Sequence, residues 1–178
     1  MKYPANPIAC LALVLLAVPS VAANLACRPG QTHASIADGS AVTVNLSEIK
    51  QAGQICLKLV DDRGAVAFDE CGSLLGLVTG VDPATGAATS LSHKAVFDAE
   101  SSFQTVQDLP LYFIPTDPTD PEPCSFLIGE AFTRLKAGTG LFQGGALNVE
   151  AQGTVSFCPG DNRNRFTLTG EACLRRGR

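Results

Sequence analysis

The stretch GTGLFQGGALNVEAQGTVSF, residues 138–157, admits two readings that lead to different proteins. Its first eight residues hold four glycines. A glycine-rich loop cradles phosphate when it opens a helix whose N-terminus receives the anion. Here Gly138, Gly140 and Gly144 give GxGxxxG, one residue longer than the dinucleotide fingerprint, and no Lys followed by Ser or Thr completes a P-loop. The residues after the glycines decide the matter. From Gly145 to Phe157 the odd positions read Gly, Leu, Val, Ala, Gly, Val, Phe, and the even positions Ala, Asn, Glu, Gln, Thr, Ser. That is the period-two alternation of a half-buried strand, in which Gly153 marks an expected bend or break. The glycines before it are expected at left-handed turn and bulge positions, where a strand rounds a corner.

Outward from this strand the alternation repeats. In RFTLTGEAC, Phe166, Leu168, Gly170 and Ala172 share one face and Arg165, Thr167, Thr169 and Glu171 the other, with PGDNRN as the hairpin loop between the two strands. QICLKLV turns at DDRG into AVAFDEC, and LLGLVTGV turns at DPATG into AATSLSHKAVF. SFQTVQ and LYFI read as further short strands, and the proline-rich acidic run at 115–123 as a surface loop. SEIKQAG is expected to make one helical turn, and no longer helix is read. Strands at this spacing predict a single all-β domain: an antiparallel β-barrel of about eight strands, with a β-sandwich as the alternative.

The N-terminus reads differently. MKYPANP, the apolar run IACLALVLLAV and the small residues PSVAA have the order of a signal peptide cleaved after Ala23. This leaves residues 24–178 as the mature domain, secreted or periplasmic, with no membrane span. Asn24 stands where a lipoprotein motif needs an aliphatic residue before Cys27. The net charge of −4 becomes −5 once Lys2 is removed, which speaks against nucleic acid as a partner.

Of seven cysteines, Cys10 leaves with the leader and six remain, an even number that suggests three disulfides in an oxidising compartment. A tight DDRG hairpin sets residue 60 against 65 and Cys56 against Asp69, so Cys71 lies diagonally across from Cys56, within reach if a bulge adjusts the register. The same geometry puts Cys158 near Arg165 and Cys173 near Glu150, too far apart to join. Folding back through the glycine corner brings Cys124 to Cys158. Elimination pairs Cys27 with Cys173. No CxxC knuckle is present, and neither metal nor cofactor is expected.

With its cysteines paired, the chain offers few groups for chemistry. His33 and His93 are its only histidines, and neither HExxH nor GxSxG occurs. In LSHKAVF, Leu91, His93, Ala95 and Phe97 share a face, so the imidazole points inward. There it would serve acid–base work or ligand binding, or be a buried histidine satisfied by a backbone carbonyl. Glu130 alternates with Phe126, Ile128 and Phe132, and Arg134 comes next on that face. His93, Glu130 and Arg134 would form a polar cluster in a cavity; Glu130 and Arg134 would otherwise be an ion pair at the barrel mouth. DPTDPEP lacks the spacing of a calcium loop, and NLS at Asn45 is formally a glycosylation sequon.

AGTGLFQGGALNVEAQG resembles the GTG-x-F stretch and following glycine-containing strand of the allene oxide cyclase and dirigent-like barrels. LSHKAVFDAESSFQTVQD, the proline-rich loop, GTGLF and NRFTLTGEAC together look like secreted bacterial proteins of that type, over about residues 90–173. The resemblance implies an eight-stranded barrel, a small cavity and self-association. Neither family's catalytic residues match positions here, and the six mature cysteines are a departure.

Three functions stand as expectations. The first is a non-catalytic exported barrel that binds an apolar small molecule or a protein partner. The second is an isomerase or cyclase that works by shaping its cavity, for which His93 or Glu130 must face that cavity with a shifted pKa. The third is a structural envelope or surface protein, with a filled interior and an exposed apolar patch or sheet edge.

Overall fold

The computed structural model describes residues 25–84, 86–98 and 100–176. The leader expected over residues 1–23 lies outside the described residues. Among the described residues ten strands run in chain order: β1 (Gln31–Ser47), β2 (Lys50–Asp61), β3 (Val66–Val81), β4 (Ala88–Val96), β5 (Ser102–Thr105), β6 (Leu109–Pro115), β7 (Ser125–Phe132), β8 (Leu135–Thr139), β9 (Ala146–Ser156) and β10 (Arg163–Arg175). All belong to one antiparallel sheet in the order β6-β7-β9-β10-β1-β2-β3-β4-β5-β8. The fold is all-β and barrel-like, a single curled sheet and not the two packed sheets of a sandwich.

Ten strands occupy eight positions because two are interrupted. β4 pairs with β5 (Lys94 opposite Gln104), and Leu91 exchanges both backbone hydrogen bonds with Asp108, at 2.9 and 3.0 Å, just before β6. β5 and β6 are thus one strand with a bulge at Val106 and Gln107, and Gln107 adopts φ 56° there. β7 and β8 run alongside as one interrupted strand: β6 pairs with β7, β5 with β8, and the Val106 N–H donates to the Arg134 carbonyl between them at 3.0 Å. The Leu91–Asp108 bridge brings the two ends of the sheet together.

The glycine corner is a turn, as expected. Gly140 and Gly144 have φ of +56° and +67°, and a single 3₁₀ turn, Gly140–Phe142, sets Phe142 into the core. Phe142 packs with Phe68, Phe97 and Phe103 at ring separations of 5.2–5.6 Å and fills that end of the barrel. In β9 and β10, Leu147, Val149, Ala151, Val155, Phe166, Leu168 and Ala172 are buried on the expected faces.

Several local expectations change. Gly153 does not break β9: it pairs with Phe166 in unshifted register, and the carbonyl of Arg165 takes the space where a Cβ would stand. SEIKQAG forms no helical turn but ends β1, turns and starts β2. The β9–β10 hairpin is tighter than PGDNRN suggests, with Cys158 opposite Asp161, Arg165 opposite Thr154 and Cys173 opposite Ala146. β1 is the longest strand, and its alternation is inverted: Ala41 and Thr43 point inward while Val42, Val44 and Leu46 are exposed.

The three expected disulfides are all present: Cys27–Cys173, Cys56–Cys71 and Cys124–Cys158, with Cα separations of 5.4, 4.0 and 4.8 Å. A register shift between Leu59 and Val60 supplies the adjustment that the first hairpin requires and sets Cys56 directly opposite Cys71. Three disulfides fit an extracellular or periplasmic protein. Among the described residues no helix is long and apolar enough to cross a membrane.

Candidate functional site

The end of the barrel opposite Phe142 is open. A cavity of about 490 Å³ lies between the β1–β2 and β3–β4 hairpins and strands β6, β7 and β9. Its walls are mainly apolar, among them Leu77, Val78, Leu91, Phe113, Ile128 and Val155, and its rim carries Glu48 and Lys50. The size and lining are those of a small-molecule site. Gln51, Gly76 and Glu130 form part of its floor.

Behind that floor three ionisable groups meet. His93, on β4, is 4 % exposed, Glu130, on β7, 2 %, and Asp108 is fully buried. His93 Nδ1 lies 2.9 Å from Asp108 Oδ2, and Nε2 lies 3.6 Å from Glu130 Oε2. Thr105 Oγ1 accepts from the His93 backbone N–H at 2.8 Å and donates to Asp108 Oδ2. The bulge at Gln107 makes this possible. Without it, period-two alternation from Phe103 and Thr105 would turn Asp108 outward; with it, the bridge that joins the sheet ends also presents the carboxylate to His93.

The electrostatics follow from burial and proximity. Burial pushes the Glu130 carboxyl above its ordinary range; the His93 charge opposes this and Asp108 adds to it. Burial pulls the His93 imidazole down, but the hydrogen bond to Asp108 and the charges of Glu130 and Asp108 outweigh it, and the imidazole is held above its usual value. Asp108 Oδ1 is buried and has no hydrogen-bond partner among the described residues. Glu130 has no hydrogen bond from the described residues; its nearest polar contact is His93.

Of the three residues read from the sequence, the structure brings His93 and Glu130 together and leaves Arg134 out. Arg134 is exposed in the break between β7 and β8, where its guanidinium donates to Gln107 Oε1. It forms no ion pair with Glu130; it braces the bulge from outside. His93 is satisfied by a carboxylate and not by a backbone carbonyl. Sequence reasoning misses Asp108, Thr105 and Gln51. Asp108 is masked by the bulge, and Thr105 and Gln51 look like ordinary strand polar residues. The other histidine, His33, sits at the far end, 2.7 Å from Asp62 and 3.4 Å from Glu171.

A second polar group lies beside the first. Asn164, fully buried, donates to Thr43 Oγ1 at 3.1 Å, Asn45 Oδ1 at 2.8 Å and Gln51 Oε1 at 3.1 Å. It accepts the Ser156 backbone N–H at 3.1 Å. Asn45, the sequon residue, also donates to the Ser156 carbonyl at 2.7 Å, so its side chain belongs to this network. Among the described residues no cluster of His, Cys, Asp and Glu could hold a metal ion.

Comparison of the chain with protein-family models, with curated proteins and with solved structures finds no match.

Proposed function

We propose that this protein is an exported binding barrel whose open end receives an apolar small molecule carrying one polar group. The observation that carries the reading is Glu130: a carboxyl 2 % exposed, without a hydrogen bond from the described residues, at the floor of an apolar cavity of about 490 Å³. A ligand group that hydrogen-bonds this carboxyl inside an apolar cavity gains about 1 kcal/mol on binding. The kinship with allene oxide cyclase and dirigent-like barrels belongs to the same proposal, supported by the GTGLF corner and the curled sheet. Export is supported by the three disulfides.

Nile red, uncharged and bright in apolar surroundings, tests the reading. Saturable binding of one dye per chain is expected, abolished by Ala88→Trp, which fills the mouth at a partly exposed position, while thermal unfolding stays cooperative. Dye binding that Ala88→Trp leaves unchanged would overturn the reading.

A catalytic reading has one observation of its own: the alignment of Asp108, His93 and Glu130, hydrogen-bonded at 2.9 Å on the first side and 3.6 Å apart on the second, a gap that must close before a proton could pass toward the cavity. It predicts that the protein accelerates hydrogen–deuterium exchange next to the carbonyl of a bound ketone. Exchange no faster than in buffer would count against it.

A further inference from the structure

The cavity reading leaves the ligand's polar group unspecified, and the orientation of Gln51 bears on it. The Ser156 backbone N–H donates to Asn164 Oδ1, so the other end of that amide is the donor. Asn164 Nδ2 in turn donates to Gln51, and Thr43 Oγ1 donates to the same Gln51 atom at 2.6 Å, which makes that atom the oxygen. The assignment starts from a backbone group that cannot be flipped. Gln51 Nε2 therefore faces the other way, over Gly76. It lies 2.9 Å from the position a Gly76 Cβ would take, and His93 Nε2 lies 3.0 Å from the same position. No acceptor among the described residues engages Gln51 Nε2.

Charge balance supplies the second half of the argument. Asp108 and Glu130 face one imidazole, and among the described residues no lysine or arginine pairs with them. With both ring nitrogens of His93 protonated and one proton on Glu130 the cluster as a whole is neutral, the state that burial favours. The upward displacement of both groups agrees: burial raises Glu130, and for His93 the hydrogen bond to Asp108 and the charges of Glu130 and Asp108 outweigh the downward pull of burial. In that state Glu130 presents an O–H, and with Gln51 Nε2 the floor offers two donors toward the cavity.

We infer that the ligand is an apolar molecule ending in a carbonyl, whose oxygen accepts one hydrogen bond from Gln51 Nε2 and one from the Glu130 carboxyl. The inference rests on the cavity reading above. An ammonium head would set its own N–H groups against the Gln51 amide, and a carboxylate head would bring a third carboxyl to a site that already holds two. Gly76 belongs to the arrangement, because a side chain there would press within 3.0 Å of Gln51 Nε2 and of His93 Nε2, the neighbour of Glu130.

Competition against Nile red by 2-undecanone, undecylamine and undecanoate at neutral pH tests it. The ketone is expected to displace the dye at concentrations roughly tenfold lower than the other two, the worth of one good hydrogen bond. Glu130→Leu is expected to lose about that factor, and Glu130→Gln, which restores a donor, to recover most of it. Gln51→Glu keeps the oxygen that Thr43 and Asn164 bind but removes the donor, and is expected to lose the ketone preference; Glu130→Leu provides the same check if that variant fails to fold. Tighter binding of undecylamine that Glu130→Gln abolishes, or equal binding of all three heads, would overturn the carbonyl assignment and leave the cavity reading in place. No dye binding to the wild type would overturn both.

Discussion

Two buried polar groups share the open half of this barrel, and they differ in how completely they are satisfied. Around Asn164 every polar atom has a partner and none is charged: Thr43, Asn45, Gln51 and Ser156 surround one amide with hydrogen bonds of 2.8–3.1 Å. Around His93 the groups are ionisable, Asp108 Oδ1 has no partner and Glu130 faces an open cavity. The first group locks β1, β2, β9 and β10 together. The second holds hydrogen-bonding capacity in reserve. Gln51 belongs to both, with its oxygen in the closed network and its nitrogen toward the open one. The difference separates polar residues that build a barrel from those that equip it.

Substitutions should expose that contrast, beginning with the largest effect. Asn164→Leu removes the amide whose two N–H groups are shared among Thr43, Asn45 and Gln51, and leaves the Ser156 N–H buried without an acceptor. It is expected to cost about 3–5 kcal/mol in urea unfolding, with nothing regained on adding ligand. A loss below about 1 kcal/mol would mean the network is not structural. Gly76→Ala forces a Cβ to within 3.0 Å of the Gln51 side chain and His93 Nε2, and is expected to cost about 1–3 kcal/mol and to weaken dye binding with it.

Glu130→Gln should behave in the opposite way to Asn164→Leu. At pH 4 it is expected to lie within about 1 kcal/mol of wild type, because an acid held above its ordinary 4.5 is neutral there. The sign at higher pH follows from linkage. Glu130 and His93 both titrate above their ordinary values of 4.5 and 6.5, so the folded chain holds protons that the unfolded chain has released. Their contributions are fully present below those ordinary values and are lost as pH rises through the folded ones. His33, raised by its hydrogen bond to Asp62 and, against the pull of burial, by that to Glu171, acts in the same sense. Wild type should therefore lose stability from pH 5 to pH 9, and Glu130→Gln should lose less. Parallel pH profiles for the two proteins would remove Glu130 from the account. Arg134→Ala gives the smallest effect, about 0.5 kcal/mol or less in thermal unfolding, since it deletes one exposed hydrogen bond to Gln107.

The sequence carries the fold where side chains alternate cleanly, and hides it where they do not. β9 and β10 are legible because apolar residues fill every second position, and the parity that turns His93 and Glu130 inward holds. β1 is not legible as a strand at all. Its inward residues at 41 and 43 are alanine and threonine, and its outward ones are valines, so alternation in hydrophobicity does not follow alternation in burial. Register gives Cys56–Cys71, the fold-back through the glycine corner Cys124–Cys158, and elimination Cys27–Cys173; all three hold even though the last hairpin pairs four residues tighter than its loop composition suggests, because they need only coarse distances. The site is half legible. Arg134 loses its expected place, and Asp108 gains an unexpected one, through a bulge at Gln107 that pattern alone does not announce.

Because the chain contains no tryptophan, a single one can report on either end of the barrel. The most direct measurement places it at Phe157, in the open mouth, or at Phe68, in the filled end, and titrates each variant with 2-undecanone. A saturable change in the Phe157→Trp emission, with none in Phe68→Trp, is the predicted result. Equal changes at both ends, or none at the mouth, would contradict a ligand seated over Glu130.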